Sequence, residues 1–238
     1  MGVAMELASH VHWVQVDDVV FVLDVRRGEY FGLDPRTSDL WLRLTRAGGY
    51  LPEECDHAAL WGIVEAARVR GWLAESGQTV LDDRKDRLGA VRHWRPFLTL
   101  SAYMCLVRAF AFLKCLGFSR TYGWAQSIVL ASSVRNQNNI DASMLERDLT
   151  AFFAAEHVFI SPLGLDDCLP RSLALFVFLR RCGIPVRHLI GVRRYPFRAH
   201  AWVEYDGLPL LAPVMYGRTT RLASADLLGD FTPLATIG

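Results

Sequence analysis

A cysteine at the head of an apolar helix pattern, followed by a hairpin that carries a histidine, leaves this chain few ways to fold. Asp167-Cys168 opens the pattern. Asp167 reads as an N-cap, Pro170 falls in the first turn where its missing N–H is harmless, and Gly183 follows the last periodic residue. Pro185 to Val192 reads as a strand, and the loop Arg193 to Arg198 leads to a second strand, Ala199 to Tyr205. Asp206-Gly207 is a strong hairpin signal, with Leu208 to Ala212 as the return strand. A helix feeding an antiparallel hairpin is an α+β arrangement.

That arrangement carries a chemistry. A thiol in the first helical turn gains thiolate character from the free N–H groups and the positive end of the helix dipole. An imidazole on a neighbouring strand takes the thiol's proton. Cys168 and His200 therefore read as the nucleophile and base of a cysteine hydrolase. Cys55, Cys105, Cys115 and Cys182 read as structural: Cys105 and Cys115 sit inside an apolar helical run and Cys182 ends a helix just before Gly183. No CxxC or CxxH spacing occurs, so no metal site is expected. Five cysteines without a secretory leader point to a reducing cytoplasm.

The chain has 238 residues and a hydrophobic content of 52%, enough for a sizeable core. A net charge of +1 gives no general attraction to nucleic acid or membrane. The longest apolar stretch, Phe97 to Phe112, is interrupted by Arg108 and falls short of the roughly 20 residues of a membrane span. Between two hydrophobic regions lies a polar segment, Ser76-Gly77-Gln78 and then Asp82-Asp83-Arg84-Lys85-Asp86-Arg87. This divides the chain into 1–80, a charged connector 81–94, and 95–238.

The first region reads as three strands, Val11 to Val16, Val19 to Val25 and Glu29 to Leu33, separated by Asp17-Asp18 and Arg26-Arg27-Gly28. Two helices follow, one capped by Asp34 or Thr37 and one over Ala58 to Arg70. Three strands with helices make a small winged-helix-like β3α unit. A winged helix that reads DNA is the other reading of such a unit, and the lack of a basic face on its helices argues against it. The strand Gly28-Glu29-Tyr30-Phe31-Gly32-Leu33-Asp34 and the helix start Ser38-Asp39-Leu40-Trp41 resemble the PqqD-like peptide-recognition element of enzymes that modify ribosomally made peptides (RiPPs). The resemblance implies that a leader peptide adds to the edge formed by Glu29, Tyr30, Phe31, Gly32, Leu33 and Asp34. It also implies a facing helix that supplies Val64, Ala67 and Arg68.

In the second region, Phe97 to Leu116, Tyr122 to Ser132 and Asp141 to Ala155 read as helices ahead of the Cys168 helix. The run from Cys168-Leu169-Pro170-Arg171-Ser172 through Gly183-Ile184-Pro185 to Ala199-His200-Ala201-Trp202-Val203-Glu204 resembles the transglutaminase-like B protein of lasso-peptide biosynthesis in its fused form. The resemblance implies a papain/transglutaminase-like thiol protease of the bacterial cytoplasm that needs no bound cofactor. It would cut a precursor peptide at the leader–core junction and pass the core to an asparagine-synthetase-like cyclase, through which any ATP dependence would arise. The family pattern also places an Asp on the return strand. In the expected register, where facing positions sum to about 413, that place is taken by Ala212. A leader-binding scaffold with little or no catalysis is the alternative reading, and an acyl transferase using the same pair is a third.

Overall fold

The computed structural model describes residues 5–46, 57–75, 98–132, 142–158, 168–210, 228 and 230–238. The chain separates into two compact units, Met1–Arg87 and Leu88–Gly238.

In the first unit, β2 (Val11–Val16), β3 (Val19–Asp24) and β4 (Glu29–Gly32) form an antiparallel meander in the order β2-β3-β4. The first turn uses Asp17 at φ 55°, a conformation that aspartate tolerates better than most residues. Asp24 is buried and holds the next turn. Its Oδ1 accepts from the N–H groups of Arg26 and Arg27, while Oδ2 accepts from Trp72 Nε1 at 3.0 Å. Helix α1 (Pro35–Arg46) starts at Pro35, behind an Asp34 carboxylate that accepts from the amides of Arg36 and Thr37. The buried Ser38 hydroxyl fastens α1 to the sheet, accepting from Val20 N and donating to Leu33 O. The sequence did not announce β1 (Met5–Leu7) and β5 (Leu73–Glu75), which pair across the whole unit.

Helix α2 (His57–Val69) corrects part of the expected peptide surface. Val64 and Ala67 are buried at 1% and 2% exposure, Val64 against Leu44 and Ala67 among Trp41 and Trp72. They belong to the core, so neither is available to a ligand. Arg68 is exposed, as are Trp61, Gly62, Glu65, Ala66, Val69 and Arg70.

The second unit is a helical layer on an antiparallel sheet. Helix α3 (Leu98–Ser132) merges the two expected helices, with Gly117 at φ 77° and ψ 177° as the break between them. Its stretch Leu98–Val129 is long and apolar enough to cross a membrane by length and composition. Of its most apolar window 28% is buried. Along the helix Ala102, Cys105, Leu106, Ala109, Tyr122, Ala125 and Ile128 are inside, and α3 packs on α4 (Ala142–Val158) and α5 (Cys168–Arg181). Helix α5 is the centre of the unit. Every residue from Ser172 to Leu179 is buried, the mark of a helix covered on all sides. It stops at Gly183, φ 88°, where Ile184 N bonds to Leu179 O and Gly183 N to Arg180 O in a Schellman motif.

The sheet runs β8 (Leu208–Leu210), β7 (Arg198–Tyr205), β6 (Arg187–Arg193), β9 (Thr232–Ile237). Val203 pairs with Leu210 and Tyr205 with Leu208, the register read from Asp206-Gly207. Asp167 and Ala212 lie outside the described residues, as does Cys55. Strand β9 was not expected, and the hairpin is tighter than expected: Arg193 and Arg198 belong to the strands rather than to the loop.

Candidate active site

Cys168 is the first residue of α5, and α5 packs directly on β6 and β7. Cys168 is half-buried and is in no disulfide. Arg171, one turn on, bonds through Nε to Glu156 Oε1 of α4. Its pKa is raised, first by that hydrogen bond and further by attraction to Glu156 and to the Cys168 sulfur. The attraction is mutual, so a thiolate at Cys168 is stabilised by a guanidinium that Glu156 holds in place. Arg171 was missed in the sequence, although its i, i+3 spacing from Cys168 was a readable signal.

The register of β7 divides two histidines. His200 lies across from Gly191 and Trp202 across from Leu189, while His188 lies across from Val203. Alternation therefore places His200, Trp202 and Glu204 on one face of the hairpin, and His188, Ala201 and Val203 on the other. The His188 face is the one that meets α5, where Ser172 Oγ lies 3.0 Å from His188 Nε2. His200 thus stands on the face turned from that contact. Along Arg198–Trp202, β7 has no strand on its outer side among the described residues.

The ring contacts of His200 are with Trp202, stacked at 6.2 Å, and with Phe231 at 5.6 Å. Trp202 lies over Gly191, where a Cβ would come within 2.7 Å of the indole, and its Nε1 donates to Glu204 Oε1. Half-burial lowers the His200 pKa from its usual value, so the imidazole is neutral at neutral pH and able to accept a proton.

His188 has a different environment. It is fully buried between Tyr122 and Phe176, and burial pushes its pKa down to about 3. Ser172 Oγ donates to Leu169 O in the first turn of α5, so it accepts from His188 Nε2–H. That leaves His188 Nδ1 without a hydrogen-bond partner among the described residues. A neutral ring so enclosed is a strut beneath the Cys168 turn and not a proton carrier. Among the described residues, no three His, Cys, Asp or Glu side chains group to hold a metal.

Residues 112–224 match the model of the Transglutaminase-like superfamily. They form a transglutaminase-like domain, which runs from the middle of α3 past β8 and contains both Cys168 and His200. No curated protein and no solved structure matches the chain, and no PqqD-like or lasso-peptide family is matched. A transglutaminase-like domain is the setting of cysteine peptidases and acyl transferases, chemistries that share an acyl-thioester intermediate.

Proposed function

We propose that this chain is a cysteine peptidase that binds the leader of a ribosomally made lasso-peptide precursor, cuts it at the leader–core junction and delivers the core to a macrolactam cyclase. One observation carries the reading. Cys168 begins the buried central helix of a transglutaminase-like domain, and that helix rests on the strand holding His200. In this reading the His200 imidazole takes the proton of the Cys168 thiol. Arg171 and the helix N-terminus favour the thiolate.

Among the described residues of the first unit, β4 is the last strand of its sheet, and strand addition by the leader would take place at its outer edge. Arg70 lies over the Phe31 ring at 4.5 Å and borders a groove of about 580 Å3 with Arg27, Gly62, Glu65, Ala66 and Val69. This groove takes over the role first given to Val64 and Ala67, alongside Arg68. The rival reading, a leader-binding scaffold without peptidase activity, is favoured by Ala212 standing where the resembled family has an acid.

Precursor cleavage followed by mass spectrometry separates the two. Cys168→Ala should abolish cleavage and leave leader affinity intact, and retained cleavage would end the peptidase reading. Tyr30 faces Leu23 in a pair that exchanges no ladder bond, so its N–H is directed to the outer edge of β4. Tyr30→Pro removes that donor and should weaken leader binding by about tenfold or more in fluorescence anisotropy. Unchanged affinity in that folded variant would place the leader elsewhere.

A further inference from the structure

The β6–β7 hairpin closes on a pair of like charges. Arg193 and Arg198 are cross-strand partners. Residues paired in this way leave the ladder on the same face with Cβ atoms about 4.5–5.5 Å apart, and equal charges there weaken the pairing. Among the described residues Arg193 has one acid near it, with Nη1 3.7 Å from Oδ2 of an Asp230 whose side chain is 73% exposed. Arg198 is exposed and has no carboxylate partner among the described residues. Arg193 Nε is buried and unbonded among those residues. Two arginines that leave the ladder on the same face, one exposed and one with a donor unbonded among the described residues, suit an added carboxylate.

Position then says which carboxylate. Arg198 shares its face with His200, two residues further along β7. The Arg193 guanidinium lies 5.4 Å from the Phe231 ring, and that ring is 5.6 Å from His200. Beyond the pair, the turn carries Tyr195 and Phe197 at 75% and 51% exposure, and Arg194 stacks on Tyr195 at 4.7 Å. Exposed rings beside a cationic pair fit a peptide segment better than a bare inorganic anion, since they supply apolar contact along with charge.

We propose that Arg193 and Arg198 form a subsite for a carboxylate of the peptide on which His200 and Cys168 act, with Tyr195 and Phe197 flanking it. The inference rests on the peptidase reading, and its test includes an arm free of that reading. The melting temperature of the full chain is measured with N-acetylaspartate amide, with N-acetylglycine and with N-acetylasparagine amide. A side-chain carboxylate ligand raises it with the first, a terminal carboxylate with the second, and the asparagine probe raises it in neither case. Arg198→Gln, at an exposed position, abolishes the rise. Equal shifts with the aspartate and asparagine probes, or a full shift in Arg198→Gln, overturn the subsite. A larger shift from inorganic triphosphate than from either carboxylate overturns it in favour of a phosphate ligand.

The second arm is alkylation of Cys168, read on its own peptide by mass spectrometry. Iodoacetate carries the charge that the subsite attracts and iodoacetamide does not. The ratio of their rates should fall about tenfold in Arg198→Gln, the equivalent of about 1.4 kcal/mol. An unchanged ratio, with both rates still slowed by His200→Ala, overturns the subsite and leaves the Cys168–His200 pair standing. Rates indifferent to His200→Ala, with the carboxylate shift intact, uphold the subsite and remove the pair.

Discussion

His188 and His200 occupy neighbouring strands of one hairpin and have opposite fates. His188 is enclosed by Ser172, Tyr122 and Phe176, with its pKa driven to about 3. His200 is half-buried beside Trp202 and Phe231, with its pKa lowered by burial but without comparable enclosure. Residue type and strand neighbourhood are the same for both. What differs is the face of the ladder, and a period of two makes that a binary choice. One face meets a buried helix and turns an imidazole into a structural group. The other leaves it able to take a proton. Functional readings of a histidine in a strand therefore depend on its parity relative to the packed face.

The comparison breaks most visibly in catalysis. His200→Ala should lower precursor turnover by about a hundredfold or more, the usual weight of a general base, and leave the melting temperature almost unchanged. His188→Phe should retain most of the turnover. Equal losses in the two variants would show that the faces do not divide the labour in this way.

Acid should separate the two faces next. His188 stays neutral in the folded protein but takes a proton near pH 6.5 when unfolded. The unfolded state therefore binds more protons between about pH 6.5 and about pH 3, so stability falls as pH falls through that window. At pH 5 the loss is about 2 kcal/mol relative to neutral pH. Urea unfolding at pH 7 and pH 5 measures it, and His188→Phe should reduce the difference by about that amount, leaving the smaller share of His200, His10 and His12, whose pKa values burial also lowers. A variant as acid-sensitive as the parent would trace the effect to other groups.

The smallest effect concerns the hydroxyl beneath the Cys168 turn. Ser172→Ala removes the acceptor of His188 Nε2–H and the bond to Leu169 O. It should cost about 1 kcal/mol in urea unfolding, because a buried donor loses its partner. A neutral result would mean that the site relaxes around the ring.

Much of this molecule was legible in the residues. Val11–Val16 and Val19–Asp24 alternate or run β-branched between turn residues, and they fold as read. The stop of α5 before Gly183 follows from capping chemistry, its start at Cys168 falls where the apolar pattern begins, and the β7–β8 register follows from Asp206-Gly207. Each of these signals is local, because a dihedral preference or a side-chain period acts within a few residues.

The rest was decided by partners that arrive from far along the chain. Nothing near Val64 or Ala67 says that Leu44, Trp41 and Trp72 will cover them, and that covering removed them from the peptide surface. Strand β9 joins β6 from the end of the sequence, and β1 finds β5 across the first unit. The Glu156 clamp on Arg171 needs α4 beside α5. The sequence determined that a thiol would head a helix and that a histidine would lie on the strand of a tight hairpin. Tertiary packing alone decided which face of that hairpin meets the helix, because burial is a property of two surfaces and a local pattern describes only one.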